Sequence, residues 1–196
     1  NIYVRSPRAG TRTMNSVERF LNQRLKLTLN RGKSRVAGAW ICDYLGYGMS
    51  WHQQPRFRIA TLSLRRLRDR LKELLRGARG RKISNVIERI NPVLRGWAGY
   101  FKLTQGKRAL ETIDGWVRHK LRCVLWRQWK RPLTRARNLI RLGLDEARAW
   151  KSATNGLGAW WNSGAPHVNH ALPKKLWDGL GLVSILDTIN RLSRIT

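Results

Sequence analysis

Short β-type runs and one helical stripe share the first 58 residues, and from about Thr61 the hydrophobic period becomes helical and stays so. In the first stretch, Ile2 to Val4 and Leu45 to Trp51 read as strands. Between them Met14, Val17, Phe20, Leu21 and Leu25 fall on one helical face, which predicts a strand, helix, strand order. Ser6-Pro7 and Ala9-Gly10 suit the first connection, and Asn30-Arg31-Gly32 is a turn after a short run at Leu27 to Leu29. Further on, Leu64, Leu67, Leu71, Leu74 and Leu75 form a stripe, with Arg65, Arg66, Arg68, Arg70 and Lys72 on the other faces. Such a helix buries one side and presents charge on the other.

After Gly77-Ala78-Arg79-Gly80, Ser84 is placed to cap a second helix, whose apolar positions are Val86, Ile87, Ile90, Val93, Leu94, Trp97, Tyr100 and Phe101. Pro92 interrupts it. Asn91 as a new N-cap with Pro92 at the first helical position predicts a kink or restart. A third helix carries Leu110, Ile113, Val117, Leu121, Val124 and Leu125, and Pro132 should stop it at about Arg131. Later, Leu139 to Trp150 has helical character, Asn155 to His170 reads as a Gly-, Asn- and Trp-rich loop, and Leu182 to Leu192 closes as a helix. The predicted class is α+β. A small βαβ-type unit with a hairpin (1–58) precedes a three-helix bundle (59–132) and a basic, partly helical segment (133–196).

Charge changes the picture from fold to function. The chain has 40 Lys plus Arg against 11 Asp plus Glu in 196 residues, a formal net charge of +29. Self-repulsion of that size calls for a polyanion, and nucleic acid is the default partner. A membrane is disfavoured, because no apolar run approaches the roughly 18 residues that span a bilayer and the basic residues are spread along the chain. With 42% hydrophobic residues and ten Trp, the chain has material for a core and is not a disordered tail. Cys42 and Cys123 lie in no C-x-x-C pattern, so small core residues in a reducing compartment account for them. There is no signal-peptide pattern, and the start at Asn1 fits a cut or processed terminus.

Between Asp114 and Asp145 no acidic residue occurs, while Arg118, Lys120, Arg122, Arg127, Lys130, Arg131, Arg135, Arg137 and Arg141 alternate with Trp116, Trp126 and Trp129. Cations neutralise phosphates and aromatic faces stack on unpaired bases, a combination suited to RNA or single strands. The competing account places the Trp rings in the core, more so for Trp97 and Trp116 than for Trp126 and Trp129. His167 and His170 are the only close histidine pair, with no cysteine or carboxylate beside them to complete a metal site. Asp69, Glu73 and Glu88 stand among arginines and read as ion-pair partners. No catalytic constellation is visible. Asp43 alone cannot assemble a two-metal site.

One motif is specific. Asn91-Pro92-x-Leu94-Arg95-Gly96-Trp97-x-x-Tyr100-Phe101 resembles the thumb signature of group II intron-encoded reverse transcriptases, the maturase-specific or X region. Tyr44-Leu45-Gly46-Tyr47 resembles that family's primer grip, and Leu27-x-Leu29-Asn30-x-x-Lys33-Ser34 the preceding block, whose lysine lies near the incoming nucleotide. Ile2-Tyr3-Val4 is similar to the strand that follows the catalytic Tyr-Ala-Asp-Asp hairpin. Asn169-His170-Ala171-Leu172 and Leu180-Gly181-Leu182 are similar to the C-terminal segment of many bacterial members.

The resemblance implies the end of a palm, a thumb and a basic C-terminal segment, in a chain that begins just after the catalytic aspartates. It implies no catalytic residue and no metal ligand here, with Mg2+ serving the full-length polymerase, so polymerase activity of this chain alone is in doubt. Lys33, Leu45, Gly46 and Tyr47 would position nucleotide and primer. Arg65, Arg66, Arg95, Lys102, Arg118, Arg122, Arg127, Lys130 and Arg131 would contact RNA. Asn91, Pro92, Gly96, Trp97, Tyr100 and Phe101 form the structural signature. The implied partners are group II intron RNA, an RNA/DNA template-primer and a missing N-terminal reverse-transcriptase portion, in the bacterial cytoplasm near RNA or nucleoid. Two alternatives stand beside it: a generic basic nucleic-acid module, and one half of a split reverse transcriptase.

Overall fold

In the computed structural model, which describes residues 1–194, the first helix, α1 (Pro7–Arg24), starts where Ser6 accepts the Ala9 amide on its hydroxyl and Pro7 takes the first turn. Its apolar stripe forms as predicted but finds little to cover it. Gly10 is its one buried residue, while Phe20 is 55% exposed. Gly10 is buried because the chain passes close: a Cβ there would stand 2.5 Å from Val36 Cγ1. Ile2 to Val4 forms no strand, so the expected βαβ unit is absent. With no second strand beside them, those residues have no ladder to join.

The sheet is an antiparallel meander of β1 (Asp43–Tyr44), β2 (Tyr47–Met49) and β3 (Phe57–Ile59) in the order β1-β2-β3. The predicted strand at Leu45 to Trp51 is therefore shorter, because Leu45 (φ 49°) and Gly46 (φ 78°) make the turn between β1 and β2. Two left-handed central residues define the hairpin turn whose twist matches the strands it joins. Ala60 then donates its amide to the Gly46 carbonyl at 2.8 Å and leads from sheet to helix.

The helical body follows. In α2 (Thr61–Leu75) the predicted leucine stripe is inward, with Leu67 and Leu71 fully buried. A 3-10 turn at Ala78–Gly80 breaks the path, and Gln128 fixes it by donating to the Ala78 and Arg81 carbonyls. Helix α3 (Ile83–Tyr100) runs without a restart through Pro92. Ser84 bonds Asn85 instead of capping, and Asn91 is drawn away from any capping role by partners across the fold. Pro92 is tolerated because its ring faces solvent, while Ile87, Ile90, Leu94 and Ala98 bury the opposite face on both sides of it. Helix α4 (Lys107–Gln128) ends three residues short of the expected limit. Arg131 precedes a proline, and that steric constraint sets it extended (φ −99°, ψ 146°), with Pro132 opening α5 (Pro132–Arg141).

Gly143 (φ 88°) separates α5 from α6 (Glu146–Thr154), which Asp145 caps by accepting the Arg148 amide. The stretch read as a loop holds two six-residue helices, α7 (Ala159–Gly164) and α8 (Pro166–Ala171). Their local cause is polar: fully buried Asn162 exchanges amide bonds with Asn155 and donates to the Leu157 carbonyl, which ties the preceding turn. Trp177 in α9 (Lys174–Gly179) is fully buried, and α10 (Ile185–Leu192) packs on α3 and α4. One apolar core extends from Ile59 to Ile189. The class is α+β, with a small sheet and a predominantly helical body, as expected.

Candidate nucleic-acid interface

The hairpin tip and the end of α3 are joined by two reciprocal phenol bonds. The Tyr47 hydroxyl donates to the Tyr100 carbonyl at 2.5 Å, and the Tyr100 hydroxyl donates to the Leu45 carbonyl at 2.8 Å. Burial is the main reason the Tyr47 phenol sits above its ordinary value of 10.0, so it remains a donor across the physiological range. Phe101 fills the space beneath, 5.0 Å from the Tyr47 ring and 4.5 Å from Trp97. Gly46 is required twice over here, by its positive φ and because a Cβ would lie 3.1 Å from Phe101 Cζ. Leu45, Gly46 and Tyr47 are thus brought together with Trp97, Tyr100 and Phe101. Lys33 belongs to a separate turn, held by Asn30 and exposed.

Asn91 does structural work at long range. Its buried amide donates to the Gly181 carbonyl at 2.8 Å and accepts the Val183 amide at 3.0 Å. Asp114 does the same for α10, accepting the Ser184 hydroxyl and the Ile185 and Leu186 amides. Gly96 and Pro92 stay on the solvent side of α3.

The nine basic candidates divide by environment. Arg66, Arg95, Lys102, Arg127, Lys130 and Arg131 are exposed, as is Arg65, which reaches Asp69 at 4.0 Å. Asp69 and Glu73 are ion-paired to Lys72 and Arg70, as their spacing predicted. Arg118 is half-buried. Arg122 turns inward instead: it is 9% exposed, and its Nε donates to the Ser163 carbonyl at 2.8 Å. Burial, helped by neighbouring Arg118, brings its guanidinium down to about 10, still charged at neutral pH. Its place on α4 accounts for this: one turn from Arg118, it faces α7, whereas Arg127 lies about half a helical turn away.

The tryptophans divide too. Trp126 is core, with the Arg135 guanidinium 5.0 Å over its ring; Trp129 and Trp116 are half-buried. A second aromatic and basic cluster escapes prediction altogether. Trp160 stacks on His119 at 3.8 Å, Lys120 Nζ lies 4.5 Å over the same ring, and Trp161 beside it is open to solvent. The adjacent Trp pair was the available signal, obscured by a glycine-rich composition.

These helices are matched by a known family. Residues 64–143 fit the model of the group II intron maturase-specific domain. Over these residues the chain is similar to the group II intron maturase-specific domain. The matched part covers most of α2 and all of α3, α4 and α5, including the thumb signature and all seven exposed basic candidates, Lys102 after α3 among them. The hairpin and α6 to α10 lie outside it. No curated protein matches the chain. Within the described residues no helix is long and apolar enough to cross a membrane.

The Mg2+ implied by the resemblance does not fit the donors present. Asp43 pairs with Arg58 at 3.1 Å, both Asp114 oxygens are taken by α10, and among the described residues no three His, Cys, Asp or Glu side chains gather. His167 bonds the Ser152 hydroxyl at 2.5 Å.

That histidine carries a pH prediction. Burial, and then the charge of Arg148, hold the His167 imidazole below its ordinary 6.5, so the unfolded chain accepts a proton that the folded one resists. Stability from this group is complete above 6.5 and declines as pH falls from there toward the lower folded value. Melting temperature should drop on acidification through that window, and His167→Gln should flatten part of the drop; identical slopes would reject the assignment.

Proposed function

We propose that this chain binds group II intron RNA and stabilises its splicing-competent fold, with the maturase-specific helices as the main contact. The observation that carries the proposal is the acid-free run between Asp114 and Asp145, which lies almost wholly inside the matched domain and leaves Arg127, Lys130 and Arg131 exposed beside half-buried Trp129. In an intact reverse transcriptase, the Tyr44 to Tyr47 hairpin would position the primer end, and Mg2+ would be held by carboxylates outside this chain. Such a protein would act in the bacterial cytoplasm, where the intron RNA is.

The test is binding of the full chain to a folded group II intron RNA and to a length-matched unrelated RNA over a salt series. Each phosphate contact adds close to 1 to the slope of log affinity against log salt. Replacing Arg127, Lys130 and Arg131 together by Gln should lower that slope by about 2 to 3 and weaken binding at least tenfold. An unchanged slope defeats the contact assignment, and parallel curves for the two RNAs reduce the protein to a generic basic module.

A further inference from the structure

Beyond the matched domain, α6, α7 and α8 enclose an open cavity of about 750 Å³, within the range of sites that take small planar ligands. Arg148 and Lys151, three residues apart on one face of α6, bring two cations to it, and no carboxylate lines it. The Trp161 ring also lines it, 54% exposed in a protein that buries Trp126 and Trp177. The floor is polar: buried Ser152 and half-buried His167, bonded to one another, line the space, with His170 beside them.

We infer that this cavity holds one unpaired nucleotide of the bound RNA, with its phosphate on Arg148 and Lys151, its base against Trp161 and its polar edge toward Ser152 and His167. The inference rests on the RNA-binding reading above. A simple anion would use the cations but not the exposed ring, and an apolar ligand would leave the cations and the polar floor without partners. A nucleotide supplies all three kinds of group, and only a base free of its pair presents a face for stacking. The surroundings extend the path: Trp160, next in sequence, carries His119 and Lys120 of α4 on its ring, so stackable surface continues from the cavity into the maturase-specific domain. The depressed His167 keeps the floor neutral near pH 7, leaving Arg148 and Lys151 as its fixed charges.

The experiment uses the full chain, a hairpin RNA with a single-nucleotide bulge, the same hairpin fully paired, and uridine monophosphate. Stacking on an aromatic ring is worth roughly 1–3 kcal/mol per base, so Trp161→Ala should weaken the bulged hairpin about tenfold and leave the paired one unchanged. Trp161→Phe should restore most of the loss, and Arg148→Gln with Lys151→Gln should weaken the bulged hairpin more than the paired one. An equal loss on both hairpins, or none, overturns the cavity assignment while the RNA-binding reading stands. Failure of the unaltered protein to bind either hairpin at low salt removes both. Competition by uridine monophosphate as effective as by the bulged hairpin would make this a free-nucleotide site and overturn the strand assignment.

Discussion

Asp114→Ala is expected to lower stability by about 3–5 kcal/mol, among the largest single effects in this protein. The carboxylate is 6% exposed and accepts three bonds, from the Ser184 hydroxyl and the Ile185 and Leu186 amides. Removing it leaves two amide donors at the start of α10 unpaired and largely desolvated, each worth about 1–3 kcal/mol, although losses at one site do not simply add. The apolar anchors Ile185 and Ile189 resist full detachment, so the change should appear first as local opening. Hydrogen exchange should accelerate over 185–192 more than over α3 and α4, with a lowered melting temperature. Asp114→Asn, which retains one acceptor oxygen, should be milder. Even loss of protection across every helix would show that Asp114 holds the whole core rather than α10.

Trp126→Ala is the second, at about 3–5 kcal/mol, the range for truncating a buried aromatic ring. Trp126 is 2% exposed and sits between Trp129, at 6.5 Å, and the Arg135 guanidinium. Its loss opens a cavity where α4 meets α5 and removes the ring beneath a cation. For a chain of this length, each kcal/mol moves the midpoint by roughly 2–4 °C, so a fall of about 10 °C is expected in thermal unfolding. RNA affinity measured well below the new midpoint should change little. A selective loss of affinity at preserved stability would mean that the ring stacks on a base.

Much of the helical body was legible in the pattern of residues. The stripes of α2, α3 and α4 placed Leu67, Leu71, Ile90, Leu94, Ile113 and Leu121 inward, because long amphipathic helices repeat their signal over several turns. Local rules failed where tertiary partners outweighed them. Asn91 looks like a cap beside Pro92, yet its amide satisfies Gly181 and Val183, about ninety residues away. Six-residue helices such as α7 and α8 are too short to show a period, and buried Asn162, not an apolar stripe, organises them. Ile2 to Val4 has strand composition, but a strand exists only with a partner.

The candidate interface was legible as charge and illegible as geometry. Composition supplied Arg118 to Arg131 without showing that Arg122 points into the fold, since which face of α4 is covered depends on where α7 lies. Arg148, Lys151 and Trp161 stood far apart in character, and only folding gathers them around one cavity.

The two long-range clasps impose an order on biosynthesis. Asp114 finds its donors 70 to 72 residues downstream, and Asn91 finds its partners 90 and 92 downstream. During translation the maturase-specific helices therefore emerge with both polar groups still hydrated and the groove for α10 vacant. Their basic face is complete before that closing helix is made, so the nascent chain displays its full run of cations while its core is still unsealed.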